Sequence, residues 1–350
     1  MLRRDFVDLG TKLAFAGILG SPRPRAEEIG DAVRGPRART QSLPSPCLDA
    51  HAHLASAALA AYHAEAGVTV GQVGRMDGAA LIRRLDTDGV RRAFVLSTAY
   101  LMAADAYGTR TAEAAEHARV KAENDFTAAE CARYPERLVP FLSLNPKRSY
   151  AVEEVDRCVE QKMRGLKLHL WNSLVDIRQA ADLAALRRVM ERAAHHRLAV
   201  VAHVAVGAVP NYGPDDTERF AREIIIPLDA LQISIAHLAG AGGFGARAQA
   251  CFERLIAVCG PDTPYASRVW TDMAATLTAN TPTKKEVLSF DSDQASRLGE
   301  LLRRWGLHRV LWGSDNIDGS LEQTRSLWPL DATAWHPIAE QRGAALVAGA

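Results

Sequence analysis

The chain has 350 residues, 48% of them hydrophobic and 24% charged, with a formal net charge of +1. That balance suits a globular protein large enough for one big core, and it gives no electrostatic reason to expect nucleic acid or an anionic membrane as the main partner. No apolar run approaches the ~20 residues that span a bilayer, and the five cysteines (Cys47, Cys131, Cys158, Cys251, Cys259) form no Cys-x-x-Cys pair, so neither a disulfide framework nor a zinc knuckle is expected.

Taken in chain order, residues 1–27 come first. Arg3 and Arg4 precede Phe6-Val7 and a short, mildly apolar stretch from Leu13 to Leu19. This basic region before a weak apolar one has the form of a twin-arginine export signal, and it predicts a periplasmic or secreted protein. The alternative is an amphipathic N-terminal helix on a cytoplasmic protein, since no clear Ala-x-Ala cleavage site follows. Residues 28–46, within a stretch rich in Pro, Arg and Gly, read as a linker.

Residues 47–350 carry a different pattern. Short apolar or β-branched runs at 47–54, 92–98, 138–144, 165–169, 198–204, 232–238, 269–274 and 309–314 alternate with segments of helical period. Leu183, Leu186, Met190 and Ala193 are spaced as one helix face, and so are Leu298, Leu301, Leu302 and Trp305. Eight strand–helix alternations predict an α/β fold with a parallel sheet closed into a (β/α)8 TIM barrel. No Gly-x-Gly-x-x-Gly follows the first run, which argues against a dinucleotide-binding open sheet.

The candidate site lies at the ends of those runs, where a barrel enzyme builds its chemistry. His51, His53, His169, His203 and His237 fall there, and Asp315 follows the last run. Strict alternation along the first run would turn Asp49, His51 and His53 to one face and Ala50 and Ala52 to the other. His51 and His53 would then stand about 6 to 7 Å apart, close enough to share a cation. Ring closure brings Asp315 beside them, and His203 arrives from the fifth run. Three imidazoles and one carboxylate leave a coordination position for water. One divalent ion is expected, Zn2+ first, with Mn2+, Fe2+, Co2+ or Ni2+ as alternatives. Asp49 is expected to orient its neighbours and Asp272 to be a structural acid. His63, His117, His195, His196, His308 and His336 are expected to serve surface or packing roles.

Asp49-x-His51-x-His53, His203, His237 and Asp315, in this order, resemble the amidohydrolase superfamily. The wording Gly165-Leu166-Lys167-Leu168-His169, Ile235-Ala236-His237-Leu238-Ala239-Gly240 and Leu311-Trp312-Gly313-Ser314-Asp315 is similar to its amidohydrolase-related branch, the aminocarboxymuconate-semialdehyde decarboxylase-like proteins. Tyr134-Pro135-Glu136-Arg137-Leu138 leading into Asn145-Pro146 resembles the same branch, over residues 47 to 346. The resemblance implies a metal-dependent hydrolase in which Asp315 moves the proton of an activated water and His237 orients that water or stabilises an oxyanion. His169 and Trp171 are expected to contact a small-molecule substrate. Some superfamily members carboxylate a lysine at the position of Lys167, whereas this branch holds one metal. Non-oxidative decarboxylation, or hydration, is the competing reading, for which Arg75, Arg178 or Arg247 would hold a carboxylate and Trp171 or Tyr100 an aromatic ring. Several decarboxylases of the branch carry Glu-x-His where this chain has His-x-His, which favours hydrolysis. Homo-oligomerisation is left open.

Overall fold

The computed structural model describes residues 44–350 apart from 68–75, 109–110, 206–211, 241–242, 277, 281–284, 288–291, 317–320, 322–330, 341–342 and 348–350. The export-signal segment, most of the linker and Arg75 therefore lie outside the described residues. By contacts the chain divides into Met1–Pro44 and Ser45–Ala350, and the sheet, its helices and the candidate site all belong to the second unit.

Eight parallel strands form one sheet, each pairing with the next along the chain. They are β1 (Leu48–Ala52), β2 (Arg92–Leu96), β3 (Leu138–Ser143), β4 (Gly165–His169), β5 (Ala199–His203), β6 (Gln232–Ile235), β7 (Val269–Asp272) and β10 (Val310–Leu311). Between β7 and β10 a short antiparallel pair, β8 (Thr278–Asn280) and β9 (Lys285–Val287), interrupts the alternation. The sequence pattern did not foretell it. Helices between the strands cover the sheet, and side-chain caps mark several of their starts. Ser56 accepts from the Leu59 amide at 3.1 Å and Asp77 from the Ala80 amide at 2.8 Å.

The seam between β1 and β10 is closed outside the regular ladder. The Ala50 amide donates to the Trp312 carbonyl at 2.9 Å, and the Asp315 amide to the His51 carbonyl at 2.7 Å. Two glycines permit close approaches inside this ring. A Cβ on Gly165 would stand 2.2 Å from the Phe141 ring, and one on Gly313 would stand 2.7 Å from the His51 Cβ. Gly313 thus lets the last strand lie directly against His51.

The barrel is filled by a cluster that includes Leu48, Ala50, Phe94, Phe141, Val201, Trp270 and Leu311. Ala50 belongs to this interior, contrary to the alternation expected for the first strand. Asp49 pairs with Ala93 and Ala52 with Val95, so three steps on β1 oppose two on β2. One extra residue is accommodated as a β-bulge, a device common beside active sites. The bulge lets Ala50 fill the barrel while His51 and His53 still turn into its mouth. Asp49, in register with Ala93, does not share their face. Its carboxylate instead accepts the His51 amide at 3.0 Å and the Ser314 amide at 2.9 Å, tying the bulge to the strand across the seam.

Candidate active site

His51 is fully buried and held from both sides. Its Nδ1 lies 3.0 Å from Asp272 Oδ2, and its Nε2 lies 2.9 Å from Lys167 Nζ. Nδ1–H donates to the carboxylate and Nε2 accepts from the Lys167 ammonium, so the tautomer with its proton on Nδ1 and its lone pair on Nε2 is selected. His53 repeats the arrangement, with Nδ1 donating to the Leu96 carbonyl at 2.8 Å and Nε2 3.3 Å from Asp315 Oδ1. His237 does so a third time, donating from Nδ1 to the Ala274 carbonyl at 2.6 Å. Fixing one ring nitrogen so that the other presents its lone pair is how proteins prepare imidazoles for a cation. Ligand atoms of His51, His53 and Asp315 all lie within 4.8 Å of one another, and so do those of His51, His237 and Asp272.

His203 enters from the end of β5, beside His169 in register. Its buried Nε2 has no hydrogen-bond partner among the described residues, an expensive state for a polar atom unless something binds it. The His203 ring stacks on His169 at 4.1 Å and meets the His237 ring edge-on at 4.8 Å. Locked imidazoles beside a carboxylate, in two groups that share His51, with the unpartnered His203 outside both, are donors of the kind a divalent ion of the nitrogen–oxygen class takes.

His169 differs in chemistry. Its Nδ1 accepts the Asn172 amide at 3.3 Å, which leaves the proton on Nε2 and makes that edge a donor. Its faces are covered by His203 on one side and by Tyr100 at 4.9 Å on the other. A substrate can therefore reach His169 by its edge and not by stacking on its face. Trp171 is half-buried in the turn after β4. Arg178 is engaged with Asp176 at 2.8 Å, and Arg247 is exposed at the start of the helix Ala246–Cys259. Lys167 brings a positive charge into the site, 1% exposed and under the electrostatic influence of the Asp272 and Asp315 carboxylates.

Burial dominates the electrostatics. It lowers the pKa of His51, His169 and His203 well below the usual imidazole value, and that of His237 as well, so all four are held neutral. Burial likewise brings Lys167 down to about 8, with Asp272 and Asp315 pulling the other way. Burial pushes the Asp272 carboxyl up, opposed by His237, Lys167 and two peptide N–H groups.

Two of the expected placements are corrected. His237 is not on a strand, because β6 ends at Ile235 and His237 sits in a tight turn, Ala236–Ala239. His53 likewise follows the end of β1. His237, Leu238 and Ala239 all have left-handed φ, at 55°, 53° and 61°, and Asp315 and Asn316 follow suit at 49° and 55°. Each such non-glycine residue costs of order 1–3 kcal/mol, a strain that collects at functional sites. Asp272 was underrated. Besides orienting His51, its Oδ1 accepts the amides of His237 and Ala274, both at 3.1 Å, and so supports the strained turn. The Thr271-Asp272 pair at a strand end was the available signal.

The amidohydrolase family model matches residues 48–348, and the chain belongs to that family. No curated protein matches the sequence. Among solved structures it is similar to a putative 2-pyrone-4,6-dicarboxylic acid hydrolase from Pseudomonas putida, with TM-score 0.58 and 16% identity over 88% of this chain and 98% of that one. It is also similar to 5-carboxyvanillate decarboxylase from Sphingomonas paucimobilis, with TM-score 0.59 and 11% identity over 87% and 99%. A dihydroxybenzoic acid decarboxylase from Polaromonas, solved with bound manganese and the inhibitor 2-nitroresorcinol, gives TM-score 0.57 and 14% identity over 87% and 97%. At these identities the likeness concerns the fold. Family membership makes the chain an amidohydrolase-type enzyme, hydrolase or decarboxylase. Among the described residues no helix is long and apolar enough to cross a membrane.

Proposed function

We propose that this chain is a metal-dependent hydrolase acting on a carbonyl-type substrate, an amide, a lactone or a related C–N or C–O bond. His51, His53, His203 and Asp315 hold one divalent cation, Zn2+ by preference. A bound cation would supply Lewis acidity, polarising the carbonyl and lowering the pKa of water towards about 7. The observation that carries this reading is the shared tautomer of His51, His53 and His237, each with its Nδ1 engaged, beside a carboxylate 3.3 Å from His53 Nε2.

Asp315 accepts the proton of the attacking water and returns it to the leaving group. His237, fixed through Nδ1, turns the lone pair of Nε2 towards the reacting centre and orients the attacking water by accepting a hydrogen bond from it. His169, a donor at Nε2, hydrogen-bonds a substrate oxygen, and Trp171 lines the entrance. One observation favours the second reading, non-oxidative decarboxylation. The buried Lys167 ammonium and the His169 donor together suit a substrate carboxylate.

The test is a screen of metal-free and singly metallated enzyme against lactones, amides and aromatic carboxylic acids, following acid release and carbon dioxide separately. Metal-dependent hydrolysis with about one metal per chain is expected for a one-site geometry, lost in His51→Ala/His53→Ala. Carbon dioxide release without hydrolysis would replace the reading with the second. Turnover undiminished in the chelated enzyme would remove the cation from both.

A further inference from the structure

We propose that Asn316, which no sequence motif singled out, is a positioning residue of the metal centre. The proposal rests on the metal-site reading above. Its carboxamide grips both peptide groups of His53, with Oδ1 accepting the His53 amide at 2.8 Å and Nδ2 donating to the His53 carbonyl at 2.7 Å. A side chain that satisfies the N–H and C=O of one residue imitates a rung of an antiparallel sheet.

The reason a side chain is needed lies in the backbone. The seam bonds at Ala50 and His51 use main-chain groups of the last strand and its end. Asp315, whose amide makes the last of these bonds, and Asn316 after it both turn left-handed, at φ 49° and 55°. The Asn316 amide replaces the main-chain partner that His53 would otherwise lose. Asn is among the non-glycine residues that tolerate this conformation best. The Asn316 backbone is itself held, its N–H donating to Ser314 Oγ at 3.2 Å.

The residues so joined are the ones that carry the candidate ligands. Asp315 precedes Asn316 directly, and its Oδ1 stands 3.3 Å from His53 Nε2. The clamp therefore sets the separation of two donor groups that come from opposite ends of the barrel domain. Without it the His53 ring keeps its Nδ1 bond to the Leu96 carbonyl and its contact with Asp315, but its peptide loses the tie to the strand across the seam.

The experiment compares Asn316→Gly and Asn316→Ala with the parent, all as full-length protein. Glycine accepts a φ of 55° without strain, so Asn316→Gly removes the clamp while keeping the turn. Alanine removes the clamp and strains the turn. Metal-free samples are titrated with Zn2+ alone and with Co2+ alone, the latter read by its visible absorption, at a temperature where each melting curve shows full folding. Both variants are expected to bind about 10- to 100-fold more weakly, the usual effect of removing an outer partner of a metal ligand, with an altered Co2+ spectrum. Asn316→Gly should melt above Asn316→Ala. A purely structural Asn316 would lower melting temperatures and leave the dissociation constants and Co2+ spectrum at parental values, which overturns the proposal. If the parent itself binds neither ion, the metal-site reading fails and this inference with it.

Discussion

Asp272→Asn is the sharpest probe of how the site is prepared. The substitution keeps the shape of the side chain and an oxygen for the amides of His237 and Ala274, which Asp272 now accepts at 3.1 Å each. The other end must become an NH2 group, 3.0 Å from His51 Nδ1. An NH2 can only donate there, so Nδ1 has to become the acceptor and the ring proton moves to Nε2. That proton covers the lone pair meant for the cation, and the imidazole must give up one contact to bind. Loss of such a partner weakens metal affinity about 10- to 100-fold, which is roughly 1.4 to 2.8 kcal/mol. The assay is competition for Zn2+ against a chromophoric chelator, with the melting temperature of metal-free protein as a control for folding. Unchanged affinity in a folded Asp272→Asn protein would refute the tautomer argument. Complete loss of binding, on the scale of Asp315→Ala, would instead make Asp272 a ligand and shift the cation towards the His51, His237 and Asp272 group.

Other expectations rest on the same geometry. His237→Ala should retain its metal while losing about 10²- to 10⁴-fold in turnover, the range for a positioned acid–base group; parallel loss of metal would make it a ligand. Lys167→Met removes an ammonium 2.9 Å from His51 Nε2 and should tighten divalent-metal binding roughly tenfold, well within the few kcal/mol that charges 4 Å apart exchange at an effective dielectric constant near 20; weaker binding would mean that Lys167, carboxylated, is itself a ligand. His51, His169, His203 and His237 have folded pKa values below the unfolded 6.5, so the unfolded chain binds more protons as pH falls below 6.5. The contribution of these four histidines to the stability of the metal-free protein is then full above that pH and declines below it, by up to roughly 1.4 kcal/mol per pH unit for each, with the raised carboxyls of Asp49 and Asp272 acting in the opposite sense as pH falls through their folded values. A urea midpoint equal at pH 7.5 and 5.5 would contradict this. We further propose export through the twin-arginine route, for which Arg3→Lys with Arg4→Lys should retain the protein in the cytoplasm of an export-competent bacterium; an unchanged distribution would dismiss it.

The legible part of this protein is what local pattern encodes. Runs of β-branched residues alternating with helical periods predicted eight strands, and the sheet has eight in sequential order. Histidines and Asp315 at the ends of those runs predicted a cluster, and His51, His53 and Asp315 do converge. Boundaries were less readable. The sixth run continues apolar through Leu238, yet the strand stops at Ile235 because three left-handed residues follow, and no glycine before Gly240 announces them.

What pattern could not supply shares one physical origin, the closure of the ring. The bulge at Asp49–Ala52 breaks the period of two because Ala50 must fill the barrel while His51 reaches its mouth. Asp49 looked like a member of the histidine face, but it is recruited to hold the Ser314 amide from the far end of the domain. Asp272 and Lys167 are separated from His51 by 221 and 116 residues, and their hold on its two nitrogens exists only once the strands are in place. Asn316 reaches His53 across 263 residues for the same reason. Local patterning names the groups able to do the chemistry, whereas the groups that fix their protons, angles and separations are chosen by long-range closure. The backbone strain points the same way. Left-handed residues at 237–239, 275 and 315–316 come after the ends of β6, β7 and β10, positions where glycine would adopt the same φ at less cost. Replacing Ala239, whose φ is 61°, by glycine should therefore stabilise the metal-free fold while loosening the turn that aims His237, so that melting temperature rises as turnover falls.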